Sequence, residues 1–346
     1  TAGATPRGIE KVVERDGTSQ LWRPVAVQPL GEAQLLILDS KNRRLLKVDE
    51  QGQLVSRTGP AVVTDRNLHL PRSVTQGSSG ELIVCDSHRD RILSLRPQSH
   101  ALVASTVRHS GIAWPRHAVE LGEDLLAVSA HAATPLRINA LGQVHAMALP
   151  GLDLPALRDP HQIVVDTFGT LVANSGAGEI IASRNGQALH VREVLGKPLS
   201  DPHAADFTYD GGIVIADTGN DRLLVSDPSW RHWREIHEVR LPDRRLTLRQ
   251  PRFVSRERDL HYLMIDTGSR LVVRTDIYGA GTWAFGSAFQ IDVARDAQDQ
   301  PDSTFTWDLR LFHDPRWVIS PTPGQLIVSD TGNCRVLSIH LQIATR

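Results

Sequence analysis

The chain has 346 residues, and 38 Lys and Arg against 39 Asp and Glu give a formal net charge of −1 at pH 7. This balance excludes the strong positive field that attracts nucleic acid or an anionic membrane, so neither is an expected partner. Hydrophobic residues make up 40% of the chain and aromatic residues only 5%, a composition typical of many short Val, Ile and Leu strands. No apolar run reaches the roughly 18 residues of a membrane-spanning helix.

A proline recurs at the start of seven short apolar strands, and a second strand follows each time. The intervals between successive prolines are 47, 44, 45, 42, 49 and 64 residues. A period of roughly 40–50 residues with several strands in each period is typical of β-propeller blades. We therefore predict a single all-β domain over 1–346, a seven-bladed β-propeller. The seven anchoring prolines are Pro24, Pro71, Pro115, Pro160, Pro202, Pro251 and Pro315.

The fifth repeat shows the blade pattern most clearly. Its first turn contains Asp210-Gly211, which supplies the positive φ that tight hairpins need. A continuous apolar run follows, as expected for a strand buried on both faces. The four predicted strands are Ala204–Thr208, Ile213–Ala216, Arg222–Ser226 and Trp233–Val239.

The seventh repeat ends near Leu341 and leaves too few residues for a fourth strand. The strand-like segment Ile9–Glu14, ahead of the first repeat, has no partner of its own. We expect it to pair with the last repeat and close the ring, because an open sheet would carry exposed edges. A free N-terminal arm is the alternative. The start at Thr1 rather than Met is consistent with removal of a leader.

The longest interval contains the stretch Tyr278–His313, which we predict to be a loop inserted between blades six and seven. We expect this loop to cover one rim of the ring and to act as a lid over a ligand. An exposed aromatic patch on the loop would instead favour a protein partner. Besides Tyr278, six of the chain's 17 aromatic residues lie here: Trp283, Phe285, Phe289, Phe305, Trp307 and Phe312.

The turn between the second and third strands carries a recurring motif. It reads Asp-Thr-Gly-Asn-x-Arg at 217–222 and again at 330–335. This signature resembles the NHL-repeat β-propellers, and the resemblance covers the whole chain, though it weakens in repeats three, four and six. NHL propellers commonly have six blades, whereas the similar streptogramin-lyase propellers have seven. The resemblance implies an NHL-like propeller, but the family includes enzymes and binding modules, so the fold leaves the function open.

The residue after the anchoring proline is an arginine or a histidine in six of the seven repeats. Because the strands are antiparallel, the start of each first strand lies beside the end of the second. We therefore expect these residues to line one mouth of the central channel, where arginine forks would hold a carboxylate, phosphate or sulfate. The full set is Val25, Arg72, Arg116, His161, His203, Arg252 and Arg316. The candidate ligand-binding residues are Arg72, Arg116, Arg252 and Arg316.

A structural role for these arginines is the alternative. Each could pair with an aspartate of a neighbouring Asp-Thr-Gly turn and join one blade to the next. Repeats three and four lack that aspartate, so Arg116 and His161 would have no such local partner. On this reasoning a pocket is expected on the side of blades three and four.

Three histidines are candidates for acid and base catalysis. His161 and His203 open adjacent blades, and His131 lies in the turn of repeat three. In the similar peptidylglycine amidating lyase, histidines of Pro-His dipeptides that open inner strands hold zinc, and only His161 and His203 match that pattern. A divalent metal at these two residues stays open, and the sequence requires no cofactor.

Two functions fit the sequence. The first is a propeller that binds a small anionic molecule at the funnel mouth, as a lyase- or isomerase-like enzyme. The alternative is a non-catalytic NHL-type scaffold that binds a protein or peptide. Cys85 and Cys334 lie in repeats two and seven, separated by repeat one, so we predict two free thiols, which favours a reducing compartment such as the cytoplasm.

Overall fold

A computed structural model of the chain describes residues 5–13, 21–30, 34–49, 54–57, 68–97, 102–147, 157–185, 187–257, 260–286, 312–322 and 324–342. Seven four-stranded antiparallel sheets follow one another along the chain. Their first strands contact each other in order, and the first strand of blade one contacts those of blades two and seven. The first strands therefore surround a central channel, which confirms the predicted seven-bladed β-propeller. The described segments contain no helix long and apolar enough to cross a membrane.

The strands of each blade are numbered one to four from the channel outward. Blade one contains Pro24–Pro29, Gln34–Asp39, Arg44–Asp49 and Leu54–Arg57. Blade two contains Ser73–Gln76, Leu82–Asp86, Arg91–Pro97 and Leu102–Ser110. Blade three contains Pro115–Leu121, Asp124–Ser129, Leu136–Ile138 and Val144–Ala146. Blade four contains Gln162–Asp166, Gly169–Asn174, Glu179–Arg184 and Gln187–Val191.

The remaining blades follow the same order. Blade five contains Pro202–Phe207, Ile213–Asp217, Arg222–Ser226 and Trp233–Ile236. Blade six contains Pro251–Arg256, His261–Asp266, Leu271–Asp276 and Gly281–Gly286. Blade seven contains Pro315–Ile319, Gln325–Asp330, Arg335–Gln342 and Thr5–Val13. Two small hairpins pair Glu193–Val194 with Lys197–Pro198 and Glu238–Arg240 with Arg245–Thr247. Short 3-10 turns occupy Ser87–Arg89, Ser175–Ala177, Thr218–Asn220 and Thr331–Asn333.

The N-terminal strand closes the ring, as predicted. Thr5–Val13 pairs antiparallel with the third strand of blade seven, with Ile9 opposite Ile339. The first strand of the chain thus covers an edge that the last blade would otherwise expose. The outer strand of blade five is shorter than predicted: it ends at Ile236, and Glu238–Arg240 belongs to a separate hairpin.

The predicted insertion at Tyr278–His313 begins later than expected. Gly281–Gly286 is the outer strand of blade six, where it pairs with Leu271–Thr275. Trp283, Phe285 and Phe312 are buried together in the hydrophobic core between blades six and seven. These three aromatic residues therefore stabilise the blade seam and form no exposed patch. Residues 287–311, with Phe289, Phe305 and Trp307, lie outside the described residues, and so does the predicted lid.

A buried carboxylate organises the turn that follows the second strand in five of the seven blades. Asp217 accepts a hydrogen bond from the Ser200 backbone N–H at 2.8 Å and another from Arg222 Nε at 2.8 Å. Gly219 then donates its N–H to the Ser200 carbonyl at 2.8 Å, and a Cβ at Gly219 would lie 2.3 Å from Ser200 Oγ. Only glycine allows this close approach. The turn therefore fixes the segment that leads into the first strand of its own blade.

The same carboxylate–arginine pair recurs in blades one, two and seven. There Asp39, Asp86 and Asp330 bind the arginine five residues later, at 2.7–2.8 Å. The bound arginines are Arg44, Arg91, Arg222 and Arg335, and none of them follows an anchoring proline. The alternative in which the post-proline arginines pair with these turn aspartates is therefore wrong.

The residue after the turn aspartate joins one blade to the next. In five blades it is a serine or threonine whose hydroxyl donates to the carbonyl of the next blade's anchoring proline. In blade three Ala130 takes this place, and in blade six the Thr267 hydroxyl is buried without a partner in the described part of the chain. The five bonds are Ser40 to Pro71 at 2.9 Å, Ser87 to Pro115 at 2.6 Å, Ser175 to Pro202 at 2.7 Å, Thr218 to Pro251 at 2.7 Å and Thr331 to Pro24 at 2.6 Å.

We predict that Thr218→Val destabilises the protein by about 1–2 kcal/mol. Valine has the same shape as threonine, but the seam loses its hydrogen bond and the Pro251 carbonyl is left without that donor. Thr267→Val is the matched control. Its hydroxyl already has no described partner, so the free energy of unfolding should stay unchanged or rise. Denaturant unfolding of both variants measures the difference, and equal losses would show that the seam bond has no stabilising role.

Blade six keeps the turn aspartate but lacks its arginine. Leu271, fully buried, stands five residues after Asp266. Asp266 still accepts the Arg249 backbone N–H, at 2.8 Å and 3.0 Å to its two oxygens. Burial without an arginine raises the pKa of Asp266 to about 7. Blade four has an amide, Asn174, in place of the turn aspartate. Asn174 accepts the Arg158 N–H at 2.7 Å and donates to Glu179 at 2.7 Å.

The raised pKa makes the stability of blade six dependent on pH. Because the folded-state pKa of Asp266 exceeds its ordinary value of 3.8, the folded protein binds more protons between about pH 4 and pH 7. The contribution of Asp266 is therefore largest below about pH 4 and declines as the pH rises to about 7. We predict that Asp266→Asn raises the melting temperature at pH 8, where it removes a buried charge.

Asp217→Asn is the control for this prediction. The same substitution there removes the fully buried carboxylate partner of Arg222, which keeps the half-exposed Glu235 at 2.8 Å, and should cost about 3 kcal/mol. Melting curves of both variants between pH 4 and pH 8 make the comparison. A loss of stability in Asp266→Asn at pH 8 would contradict the assignment of Asp266 as an uncompensated carboxyl.

Candidate functional site

The backbone around the anchoring prolines has an unusual and repeated conformation. All seven residues that precede these prolines are non-glycine residues in the left-handed region, with φ between 45° and 55°. Left-handed φ costs a non-glycine residue roughly 1 kcal/mol, so each needs support from its surroundings. The seven residues are Arg23, Leu70, Trp114, Asp159, Asp201, Gln250 and Asp314.

The residue after the proline is displaced from the regular ladder in most blades. In blades one, three, five, six and seven the pairing register shifts at this position, as in a β-bulge. A bulge leaves one residue unpaired and re-aims its side chain. The fourteen residues that flank the seven prolines therefore share one end of the first strands, and we call them the proline rim.

The proline rim carries more positive than negative charge. It contains five arginines against three aspartates, an excess of two positive charges when the histidines are neutral. Around the ring, the arginines occupy blades six, seven, one, two and three, and the histidines occupy blades four and five. The charged and titratable members are Arg23, Arg72, Arg116, Arg252, Arg316, Asp159, Asp201, Asp314, His161 and His203.

The aspartates before the prolines pair with part of this arginine set. Asp159 forms an ion pair with Arg116 of the preceding blade and lies 3.3 Å from His161 Nε2. The prediction that Arg116 and His161 lack a local partner is therefore wrong, because Asp159 pairs with both side chains. Asp314 Oδ2 lies 2.9 Å from Arg316 Nε and 3.9 Å from Arg23 Nη2.

Arg72 and Arg252 differ from the other rim arginines. Among the described residues, neither guanidinium forms a hydrogen bond or an ion pair. Crowding by surrounding protein lowers the pKa of Arg72 to about 10, and the charges of Arg116, Arg316 and Arg23 contribute. Burial, with the nearby charge of Arg316, also lowers the pKa of Arg252. Arg72 therefore lies where positive charge is dense, whereas Arg252 has one cation, Arg316, and two carboxylates, Asp314 and Asp201, nearby.

The two rim histidines contact each other. Their ring centroids are 4.1 Å apart and their planes are nearly perpendicular, at 86°. His203 Nδ1 lies 3.2 Å from Asp201 Oδ1, and its Nε2 is buried without a partner in the described part. A Nδ1–H that donates to Asp201 leaves the Nε2 lone pair available as an acceptor.

Burial, followed by the charges of His203 and Arg116, lowers the pKa of His161 to about 4. His161 is therefore neutral at pH 7. Each rim histidine thus has a carboxylate two residues before it, Asp159 or Asp201, that can orient its ring.

His131 does not join this pair. Its ring contacts Trp114 at 6.4 Å, in a row that continues through His88 at 4.2 Å from Trp114 to His69. The predicted third catalytic histidine is thus part of a separate aromatic row at blades two and three. Within the described segments, no group of three or more His, Cys, Asp and Glu side chains is arranged to hold a metal ion.

A cavity of about 470 Å³ lies at the other end of the channel, and the sequence analysis missed it. Arg256 of blade six forms an ion pair with Asp166 of blade four and donates its backbone N–H to Asp206 at 2.7 Å. All three residues stand at or near the ends of first strands, so the strand pattern could have grouped them. The lining residues are Gln28, Pro29, Tyr209, Ser255, Arg256, Glu257, Leu263, Val318, Ile319, Ser320 and Pro321.

Cys85 and Cys334 are both buried and unpaired, as predicted. Burial raises the pKa of Cys85 to about 12 and also raises the pKa of Cys334. Both thiols therefore stay protonated at neutral pH and are poor nucleophiles.

No family model and no curated protein matches the chain. Among solved structures, streptogramin B lyase is similar, with a TM-score of 0.68, 10% identity and 97% and 98% of the two chains covered. A catalytically inactive virginiamycin B lyase from Staphylococcus aureus, with quinupristin, has a TM-score of 0.70 at 11% identity over 97% and 99% of the chains. YCF48 bound to D1 peptide has a TM-score of 0.59 at 14% identity over 97% of each.

At these identities the likeness shows the fold alone. The resemblance to streptogramin-lyase propellers is thus confirmed as a shared propeller architecture. No family model matches the chain, so the comparisons do not show that it belongs to the NHL-repeat family.

Proposed function

We propose that the protein binds a small anionic molecule at the proline rim and converts it in a lyase- or isomerase-like reaction. The observation that carries the proposal is the pair Arg72 and Arg252, two cations without a described partner in a mouth that already holds excess positive charge. An anion would supply the missing charge-assisted hydrogen bonds. The histidine pair at blades four and five supports a reaction on the bound molecule.

The arginines and histidines have complementary roles in such a reaction. Arginine forks hold a carboxylate or phosphate and stabilise negative charge that develops next to it. The His203 Nε2 lone pair accepts a proton from the carbon beside the activating group. In a lyase the C–H electron pair becomes a double bond as the leaving group departs, and the imidazolium returns the proton to that group. In an isomerase the proton returns to a neighbouring carbon.

His161 is linked to anion binding through Arg116. The charge of Arg116 is one cause of the low pKa of His161. A bound anion offsets that charge, so the pKa of His161 rises and the ring becomes a better base when ligand is present. Because the pKa of His161 is low, its protonated form is a strong acid that can donate a proton to the leaving group.

A non-catalytic propeller that binds a peptide is the second candidate. The side chain of Arg72 is exposed at the rim and could receive an acidic side chain from a peptide. YCF48, a propeller with the same overall fold, is bound to the D1 peptide. Binding of an acidic peptide without turnover of any small anion would favour this function.

We predict that His161→Gln and His203→Gln abolish turnover while anion binding falls by less than about tenfold, because glutamine keeps a polar group but cannot exchange a proton at neutral pH. A panel of small carboxylates and phosphates is screened by thermal shift, and the compounds that bind are tested for new double-bond absorbance. Unchanged turnover in both variants would remove these histidines from the reaction. Metal analysis accompanies the screen, and a stoichiometric metal lost in both variants would replace this mechanism with a metal-assisted one.

We predict that Arg252→Gln weakens binding of the best anion of that panel by roughly 10- to 100-fold, the usual range for loss of a charge-assisted hydrogen bond. The unliganded protein should melt at about the same temperature, because Arg252 forms no hydrogen bond or ion pair with the described residues. Arg274→Gln is the control, since Arg274 Nε pairs with Glu257 Oε2 at 2.6 Å away from the rim. A fall in stability with unchanged affinity would assign Arg252 a structural role.

A further inference from the structure

The charge count of the proline rim indicates how much negative charge the ligand carries. Asp159 is paired with Arg116, and Asp314 lies beside Arg316 and Arg23. Asp201 orients His203 instead of an arginine. Three carboxylates thus face five guanidinium groups, and the two arginines left without a described partner equal the excess of two positive charges.

These two cations share one region of the channel mouth. Arg72 belongs to blade two and Arg252 to blade six, and blades seven and one lie between them around the ring. Arg316 of blade seven affects both, since its charge lowers the pKa of Arg72 and of Arg252. Arg316 therefore lies between Arg72 and Arg252 around the channel mouth, and its charge acts on both.

Apolar surface lies inside the same arc. Val25, the only apolar residue after an anchoring proline, is half-buried in blade one, between the arginines of blades seven and two. It offers a contact for a carbon skeleton that connects two anionic groups or carries one doubly charged group. The histidine pair, in blades four and five, stands on the other side of the channel mouth.

We propose that the ligand is a small dianion, either a phosphate monoester or a dicarboxylate, bound by Arg72, Arg316 and Arg252. This proposal rests on the proposed function, in which the rim binds an anion. A monoanion would leave the rim with one uncompensated positive charge, so a second negative charge adds a further charge-assisted hydrogen bond. A more highly charged ligand would be repelled by Asp159, Asp201 and Asp314.

Matched ligand pairs that differ only in charge test this proposal. Calorimetric titration at pH 8 compares succinate with monomethyl succinate and methyl phosphate with dimethyl phosphate, because a phosphate monoester is doubly charged above its second pKa of about 6. We expect at least one dianion to bind ten or more times more tightly than its monoanionic partner. The pair with the larger ratio identifies the ligand as a dicarboxylate or a phosphate monoester.

Charge-changing variants provide the second measurement. Arg72→Gln lowers the rim excess to one and should reduce the ratio of dianion to monoanion affinity to near one. Asp314→Asn raises the excess to three and should strengthen dianion binding, and asparagine tolerates the left-handed φ of 55° at this position. Arg274→Gln removes one positive charge away from the rim and should leave the ratio unchanged.

The possible outcomes separate the two proposals. If mono- and dianions bind equally and Arg72→Gln weakens both alike, the dianion proposal is overturned while the anion site stands. If no member of either pair binds to the folded protein, the anion site itself fails. A ratio that falls equally in Arg72→Gln and in Arg274→Gln would show a general field effect, and this too would overturn the assignment to the rim.

Discussion

The propeller depends on a buried polar turn at the end of each second strand, which is built on an aspartate in five of the seven blades. In blade five, Asp217 holds the backbone N–H of Ser200 and the side chain of Arg222, so the burial cost of both charges is offset by mutual hydrogen bonds. The next residue, Thr218, reaches the Pro251 carbonyl of blade six. One turn thus positions the first strand of its own blade and joins it to the following blade, so the repeat unit and the ring closure have the same physical origin.

This support allows strained residues at the channel mouth. The turn hydrogen bonds fix the backbone just before each proline, where all seven residues have positive φ. Glycine would adopt this conformation at least cost, yet no glycine occurs at any of the seven positions. Four of the seven are charged, and three of these are aspartates that pair with rim arginines or histidines. At these three positions the strained residue thus supplies a rim contact that glycine could not make.

The sequence predicted the features that depend on period and alternation. The proline spacing predicted seven blades, and the unpaired strand near Ile9 predicted the ring closure. Both features can be read from local patterns along the chain. The sequence pattern predicts an insertion where the outer strand Gly281–Gly286 lies, because outer strands show only weak alternation of apolar and polar residues. The pairing of Arg116 with Asp159 spans 43 residues and a blade seam, and the pairing of Arg256 with Asp166 spans 90. The strand pattern can place such residues at the same end of the channel, but their pairing depends on how the blades are placed relative to each other.

The two ends of the channel have opposite electrostatic character. At the proline rim, arginines outnumber aspartates, whereas at the far mouth Asp166 and Asp206 share the single cation Arg256 among the described residues of the first strands. Burial raises the pKa of Asp206, so the far mouth has little or no capacity to bind an anion whichever protonation state Asp206 adopts. The ion pair of Arg256 and Asp166 also links blades four and six across blade five. Among the described residues that flank or form the first strands, the excess of positive charge is therefore at one end of the channel, the end where the histidine pair lies.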